Sequence, residues 1–418
     1  MTLADHVPAL RHRNFRLLWL SQLVSMAGSM MQSAAILWHV SLLVPPESRG
    51  LALGMTGAVR IVPIIAFSIV SGVVADTFDR RRVMLVTQSL MALAAAALAA
   101  LSFAGVRVLW PIYVLAGLSS AFWAFDGPSR QSLIPNLVPR EHLPNAISLN
   151  TIMFEVASIA GPALGGLVIA WGGVGWAYAL NALSFLFVIG ALLMMRNVAA
   201  RPDGTGSGMS LHAALEGLRF VFRTPLIRAT MLLDFFATFF ASATALLPIF
   251  AQDVLHVGAK GYGLLSAAPS VGAVIAAAAM VAMNERIQHR GRVLLGWVAV
   301  YGAATVAFGL SRNFAFTFFC LAVTGVADTV SVVIRNLVRQ LATPDSMRGR
   351  MTSVNMIFFM GGPQLGELEA GLAAQAFGAP LSVITGGIGC VLSVLWVAWR
   401  TPALRAYRRE AAGTGPPP

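Results

Sequence analysis

Long apolar runs separated by short polar breaks dominate the sequence, and the break at 72–82 constrains the fold most. It reads G-V-V-A-D-T-F-D-R-R-R, with an apolar run on either side. A helix of about 20 apolar residues crosses a hydrocarbon core of about 30 Å. Two such runs joined by a loop ending in Arg80, Arg81 and Arg82 predict a membrane hairpin with its loop in the cytoplasm. Composition agrees. The 418 residues are 57% hydrophobic and 11% charged, against about 45–50% and about 25% in soluble proteins. So few charges could not cover the apolar surface of a soluble fold.

A net charge of +12 raises nucleic acid as a partner, but the positions of the charges exclude it. Only Arg49, Arg107, Lys260 and Arg312 fall in loops assigned to the outside, and Arg60 lies within a span. That leaves 24 of the 29 basic residues on the cytoplasmic side, the positive-inside pattern. Both termini are expected in the cytoplasm. Cys320 and Cys390 sit in apolar runs and imply neither a disulfide nor a metal framework. No cleavable signal is expected, because the first apolar run is too long and lacks a small-residue cleavage site.

In order, spans are expected at 17–44, 53–75, 83–104, 109–130, 143–171 and 175–195, then at 226–251, 262–283, 293–310, 314–335, 351–377 and 381–399. Between the sets, 197–225 reads as a linker plus an amphipathic helix, with Leu211, Leu215, Leu218 and Phe222 at helical spacing. The expected organisation is an all-α integral membrane protein of 12 transmembrane helices: a six-helix bundle over 1–196, the linker, a second bundle over 226–400 and a disordered tail over 401–418. The halves repeat. Pro139–Ile152 aligns without gaps to Pro344–Ile357, pairing Ser148 with Ser353 and Asn150 with Asn355, and the same register pairs Arg130 with Arg335. Gly54 pairs with Gly263, and Asp76 with Glu285. Two six-helix repeats with a binding site at their interface is the general plan of secondary transporters.

Gly72, Asp76, Arg80 and Arg81 stand in the order of a signature loop. The segment resembles the loop between helices 2 and 3 of the major facilitator superfamily, with Asp79 where that signature has a second glycine. The string Gly161, Pro162, Ala163, Leu164, Gly165, Gly166 resembles the helix-5 motif of its antiporting branches, although Ala157 replaces a glycine upstream. On residues alone, small side chains here equally suit close helix packing. Arg13-Asn14-Phe15-Arg16, the segment 130–139 and G-P-Q-L-G-E at 362–367 are similar to the bacterial drug and siderophore exporter group, which includes enterobactin-exporter-like and macrolide-efflux-like proteins. The resemblance implies a monomer in the lipid bilayer that moves a small-molecule substrate by alternating access. It would exchange that substrate for protons, with the proton gradient as its energy source and no cofactor. Import of an organic solute, or lysolipid transport, would use the same fold. No paired-histidine, G-x-S-x-G or phosphate-loop motif points to an enzyme.

The acids Asp126, Glu155, Asp234, Asp328, Glu367 and Glu369 lie inside spans 4, 5, 7, 10 and 11, and spans 3, 6, 9 and 12 carry no interior charge. A charge facing lipid costs about 2.5–3.5 kcal/mol, so these groups are expected to face protein or water. The resemblance implies that the uncharged set faces lipid. Asp126 and Arg130, four residues apart, predict an ion pair. Asp328 and Arg335 are two turns apart, too far for direct contact. Asp234 has no basic neighbour on its own helix face, which makes it the first candidate for the coupling carboxyl, ahead of Asp328 and Glu155. A structural ion pair with a cavity arginine such as Arg60 weighs equally. Glu367 and Glu369 cannot share one face. For His39 a hydrogen-bonded packing role outweighs a proton relay. Trp19, Trp123, Phe235, Phe239 and the methionines of span 1 suit a broad apolar cavity for amphipathic ligands, where packing does not claim them.

Overall fold

The computed structural model describes residues 8–196, 211–283, 287–344 and 347–408. Among these there is no strand. Twelve long helices follow in order: α1 (Arg13–Leu43), α2 (Arg49–Thr77), α3 (Arg80–Phe103), α4 (Trp110–Leu133), α5 (Leu143–Gly172), α6 (Val174–Met194), α7 (Pro225–Phe240), α8 (Gly258–Met283), α9 (Arg290–Leu310), α10 (Phe314–Ala342), α11 (Arg348–Phe377) and α12 (Ala379–Arg400). Among the described residues, nine spans are long and apolar enough to cross a membrane. α1, α4 and α11 fall short, and these carry Gln22 and Gln32, Asp126 and Arg130, and Glu367 and Glu369 respectively.

Local chemistry sets the helix ends. Asp79, the residue that departs from the signature, is the N-cap of α3, and its carboxylate accepts from the Arg82 amide at 3.1 Å. Arg81 then donates to the Leu192 carbonyl at 2.7 Å, covering an orphan acceptor in the last turn of α6. Asn313 caps α10 in the same way as Asp79 caps α3, accepting from Phe316. The turns into α6 and α12 need left-handed backbone, supplied by Gly173 (φ 85°) and Gly378 (φ 86°). These glycines are 205 residues apart, the offset that relates Arg130 to Arg335.

Packing repeats with the same logic. α1 packs on α5 and α6, and α3 on α4 and α6; α7 packs on α11 and α12, and α9 on α10 and α12. Raising each index by six converts one scheme into the other. A side chain on Gly161 of α5 would lie 2.6 Å from the Ala27 carbonyl of α1, and one on Gly366 of α11 would lie 2.5 Å from the Phe239 carbonyl of α7. Residues 239 and 27 differ by 212, which fixes the register of α7 on α1.

The chain divides into two compact units, the first being Met1–Ser210 with Ala245–Ala267, the second Leu211–Thr244 with Ala268–Pro418. This differs from the division expected at the linker, because the end of the seventh span and the start of the eighth group with the first six helices. Specific bonds hold them there. The Tyr262 hydroxyl donates to the Ala34 carbonyl at 2.9 Å, its ring stacks on Trp38, and Gln252 donates to Ser41 at 2.7 Å. Arg49 pairs with Asp253 at 2.8 Å. The seventh span is also not one helix. α7 stops at Phe240, and the chain continues as 3-10 turns (Ala243–Leu246), a short α turn (Leu247–Ile249) and a π turn (Phe250–Val254).

Helix Leu211–Arg223 occupies the expected amphipathic segment. Val221 packs with Ile227, Met231 and Met351, while Leu218 and Phe222 stay exposed. Residues 197–210 and Glu285 lie outside the described residues. The tail is ordered further than expected: Pro402–Ala406 forms a helical turn with Leu404 buried, and Tyr407 accepts from the Gly291 amide.

Candidate functional site

The second unit holds a buried ionic cluster. α10 places Asp328, Arg335 and Arg339 seven and four residues apart, near one helix face. Arg335 Nη2 lies 2.9 Å from Asp234 Oδ1 on α7 and 3.5 Å from Asp328 Oδ1, and Arg339 Nη1 lies 3.9 Å from Asp234 Oδ2. Arg339 also donates to Asn336 and to Asn355 of α11. Two carboxylates thus face two guanidinium groups. Ion pairs this deep are favoured when further hydrogen bonds satisfy the charges; Asn336 and Asn355 do so for Arg339, while Arg335 Nε is buried without a hydrogen-bond partner.

One expectation is corrected by this cluster. Asp328 and Arg335 are in contact, because an arginine side chain on a helix reaches back toward the N-terminus and closes most of a two-turn gap. Asp234 takes the ion-pair alternative, with Arg335 of α10 and not Arg60 as its partner. Arg60, half-buried in α2, forms no ion pair among the described residues. The carboxylates also differ. The Asp234 side chain is 4% exposed and Arg335 1%, whereas Asp328 is 48% accessible because it opens onto a cavity between helices.

The equivalent place in the first unit is built differently. Arg130 of α4, the counterpart of Arg335, donates to Gln22 of α1 at 3.1 Å. Residues 234 and 22 differ by 212, so Gln22 occupies the position of Asp234. Asp126 does not pair with Arg130; buried, it accepts from Gln88 at 2.9 Å and Thr87 at 3.1 Å of α3. Helical spacing reports only partners on the same helix, so these amide and hydroxyl partners on α3 are not visible from the sequence around Asp126. Residue type gives no other signal for Gln22, Thr87 or Gln88, whereas Asn355 is marked by the repeat that pairs it with Asn150.

The remaining candidates are placed as follows. Glu155 is half-buried, Glu367 buried and Glu369 half-buried. His39 shares a hydrogen bond with Tyr178 at 3.2 Å, the packing role. Gly161 and Gly165 meet Met30 and Met31 of α1, and Gly166 meets Gly263, so the helix-5 string serves close packing, with Pro162 buried among these contacts. Arg80 donates to the Ser132 carbonyl at the end of α4. Gly72 and Asp76 lie in α2, and their side chains are outside the described residues. The α7 aromatics form a ladder, Phe235 stacked on Phe239 and Phe236 on Phe240, which assigns them largely to packing.

A family model described as transmembrane secretion effector matches residues 4–413. The chain is 26% identical to the enterobactin exporter of Citrobacter koseri over 409 residues, 97% of this chain and 95% of that protein. It is 27% identical to the enterobactin exporter of Shigella boydii serotype 18, covering 95% and 94%. Among solved structures it is similar to a bacterial homolog of the human lysosomal transporter Spinster (TM-score 0.72, 15% identity, 95% and 98% covered). It is also similar to a bacterial homologue of the iron transporter ferroportin (TM-score 0.69, 17% identity, 94% and 99% covered). These relatives are transporters and not enzymes. The chain is therefore a multi-pass membrane transporter that belongs to the transmembrane secretion effector family of the major facilitator superfamily.

Proposed function

We propose that this transporter exports amphipathic small molecules in exchange for protons, with Asp328 as the carboxyl that takes up and releases the proton. One observation carries the reading: two carboxylates share Arg335, one held short and sealed, the other longer and accessible. With both ionised, the charges of Asp234, Asp328, Arg335 and Arg339 cancel. Protonating Asp328 breaks only the 3.5 Å contact and leaves the 2.9 Å pair to fix α7 on α10. Protonating Asp234 would strand a buried cation. Asp328 is thus the group whose proton exchanges at least cost to the fold.

The enterobactin exporters among the relatives make catechol siderophores the first substrates to test. Inverted vesicles from expressing cells, given an acid-inside gradient, should accumulate enterobactin or ethidium, and a proton ionophore should abolish the accumulation. Asp328→Asn should lose uphill accumulation and keep downhill exchange. Uptake indifferent to the gradient, or uphill transport by Asp328→Asn equal to wild type, would refute the proposal. Accumulation from outside by right-side-out vesicles would identify an importer instead.

A further inference from the structure

Arg60 is a cation inside a membrane-spanning helix. Eleven residues at about 1.5 Å each put it about 16 Å along α2 from Arg49, within a hydrocarbon core of about 30 Å. Helical spacing sets it opposite the exposed apolar stripe of Leu51, Met55, Val62 and Ile65, on the side that carries the buried Leu53 and Thr56. The half-buried side chain is thus turned away from lipid, as the cost of a charge facing hydrocarbon requires.

No acid among the described residues pairs with it. In the first unit, Asp79 caps α3, Asp126 accepts from Thr87 and Gln88, and Asp253 pairs with Arg49. Glu47 and Glu141 lie exposed in turns between helices, and Glu155 forms no ion pair among the described residues. The charge of Arg60 reaches the buried Tyr178 hydroxyl, which shares a hydrogen bond with His39 at 3.2 Å. Both rings are polar, and neither supplies a negative charge. An unmatched guanidinium near a fixed phenol hydroxyl is complementary to a planar anion with two oxygens, which it holds through paired N–H donors.

We propose that Arg60 sets substrate specificity by binding an acidic group of the exported molecule, a carboxylate or an ionised catechol. The inference rests on the reading of this chain as an exporter of amphipathic molecules and narrows their class to those that carry an acid. Phosphate headgroups offer the same charge, but they lie outside the hydrocarbon core that holds Arg60. The ligand's own anion replaces the missing counter-charge, so a neutral analogue of similar shape binds less tightly. Removing Arg60 leaves no partner stranded, which separates it from Arg335, whose loss would uncover two carboxylates.

The test is fluorescence titration of the purified full-length protein with pyrenebutyrate and with its methyl ester, which keeps the ring and chain and removes the charge. The wild type should bind the carboxylate about tenfold more tightly than the ester. Arg60→Gln should lose that preference, leave ester binding unchanged and unfold at the wild-type temperature. Arg60→Lys, which keeps the charge without the planar fork, should fall between the two. Equal or absent binding of both probes by the wild type, or the full preference persisting in Arg60→Gln, would overturn the proposal. So would a lowered unfolding temperature in both variants, the mark of a structural role. Displacement of pyrenebutyrate by phosphatidylglycerol but not by enterobactin would assign Arg60 to a lipid headgroup and overturn it as well. Asp328→Asn should keep the preference. Wild-type uphill export in Asp328→Asn, with the preference still lost in Arg60→Gln, would refute the coupling carboxyl and leave Arg60 standing. The reverse pattern would refute Arg60 alone.

Discussion

Arg130 and Arg335 occupy equivalent positions in two repeats that pack their helices by one scheme, yet they sit in opposite electrostatic settings. Arg130 meets the neutral Gln22, while Arg335 meets Asp234 and Asp328. At the offset of 205, Trp123 stands where the second unit has Asp328, and Ile134 where it has Arg339. The first unit instead carries Asp126, seated on Thr87 and Gln88 by neutral hydrogen bonds. Two copies of one architecture have thus been specialised: the first holds its polar centre by hydrogen bonds to amides and hydroxyls, the second by ion pairs. Fold and packing survive either solution. The carboxyl proposed to exchange its proton lies in the second.

The sharpest way to break this comparison is to remove the partner of each arginine. Asp234→Ala leaves Arg335 buried without its short ion pair and should cost about 3–5 kcal/mol. Gln22→Ala removes one hydrogen bond to a charged group and should cost about 1.5–3 kcal/mol. Thermal unfolding in detergent ranks the two, and equal losses would mean that the ionic pair contributes no more than the neutral one. A smaller and symmetric effect is expected where the units agree. Gly161→Ala and Gly366→Ala each push a methyl group against a carbonyl of the neighbouring helix and should cost about 1–3 kcal/mol by overpacking. A marked difference between those two variants would undermine the equivalence of the repeats. The smallest effect is predicted for Arg49→Ala. Its partner Asp253 is 44% exposed, and surface pairs contribute about 0–1 kcal/mol, screened further by salt. A larger, salt-independent loss would show that Arg49 does more than pair at the surface.

The sequence made most of the fold legible, because length and apolarity of a span report directly on the membrane and because 72–82 carries a recognisable order of charges. Asp79 shows the limit of that reading: a departure from the signature became intelligible only as the cap of α3. The ionic cluster was half legible. Asp234 and Asp328 stood out as acids in apolar helices, but helical spacing measures separation between backbone positions, not the reach of an arginine toward the N-terminus. The match of Gln22 with Asp234 was hidden because the repeat register drifts, from 212 between α1 and α7 to 205 between α4 and α10, as intervening loops differ in length. The break after Phe240 lies in a stretch that stays apolar, and its sequence signal is Pro248, which cannot donate to the carbonyl four residues before it.

The account stands or falls on which unit carries the coupling proton. Reconstituted into vesicles with a trapped pH indicator, the wild-type protein should move protons when enterobactin is presented. Asp328→Asn should abolish that proton movement while still exchanging enterobactin downhill, whereas Asp126→Asn, which keeps an acceptor for Thr87 and Gln88, should move protons at the wild-type rate per folded molecule. Proton movement that persists in Asp328→Asn and disappears in Asp126→Asn would place coupling in the first unit and contradict the account.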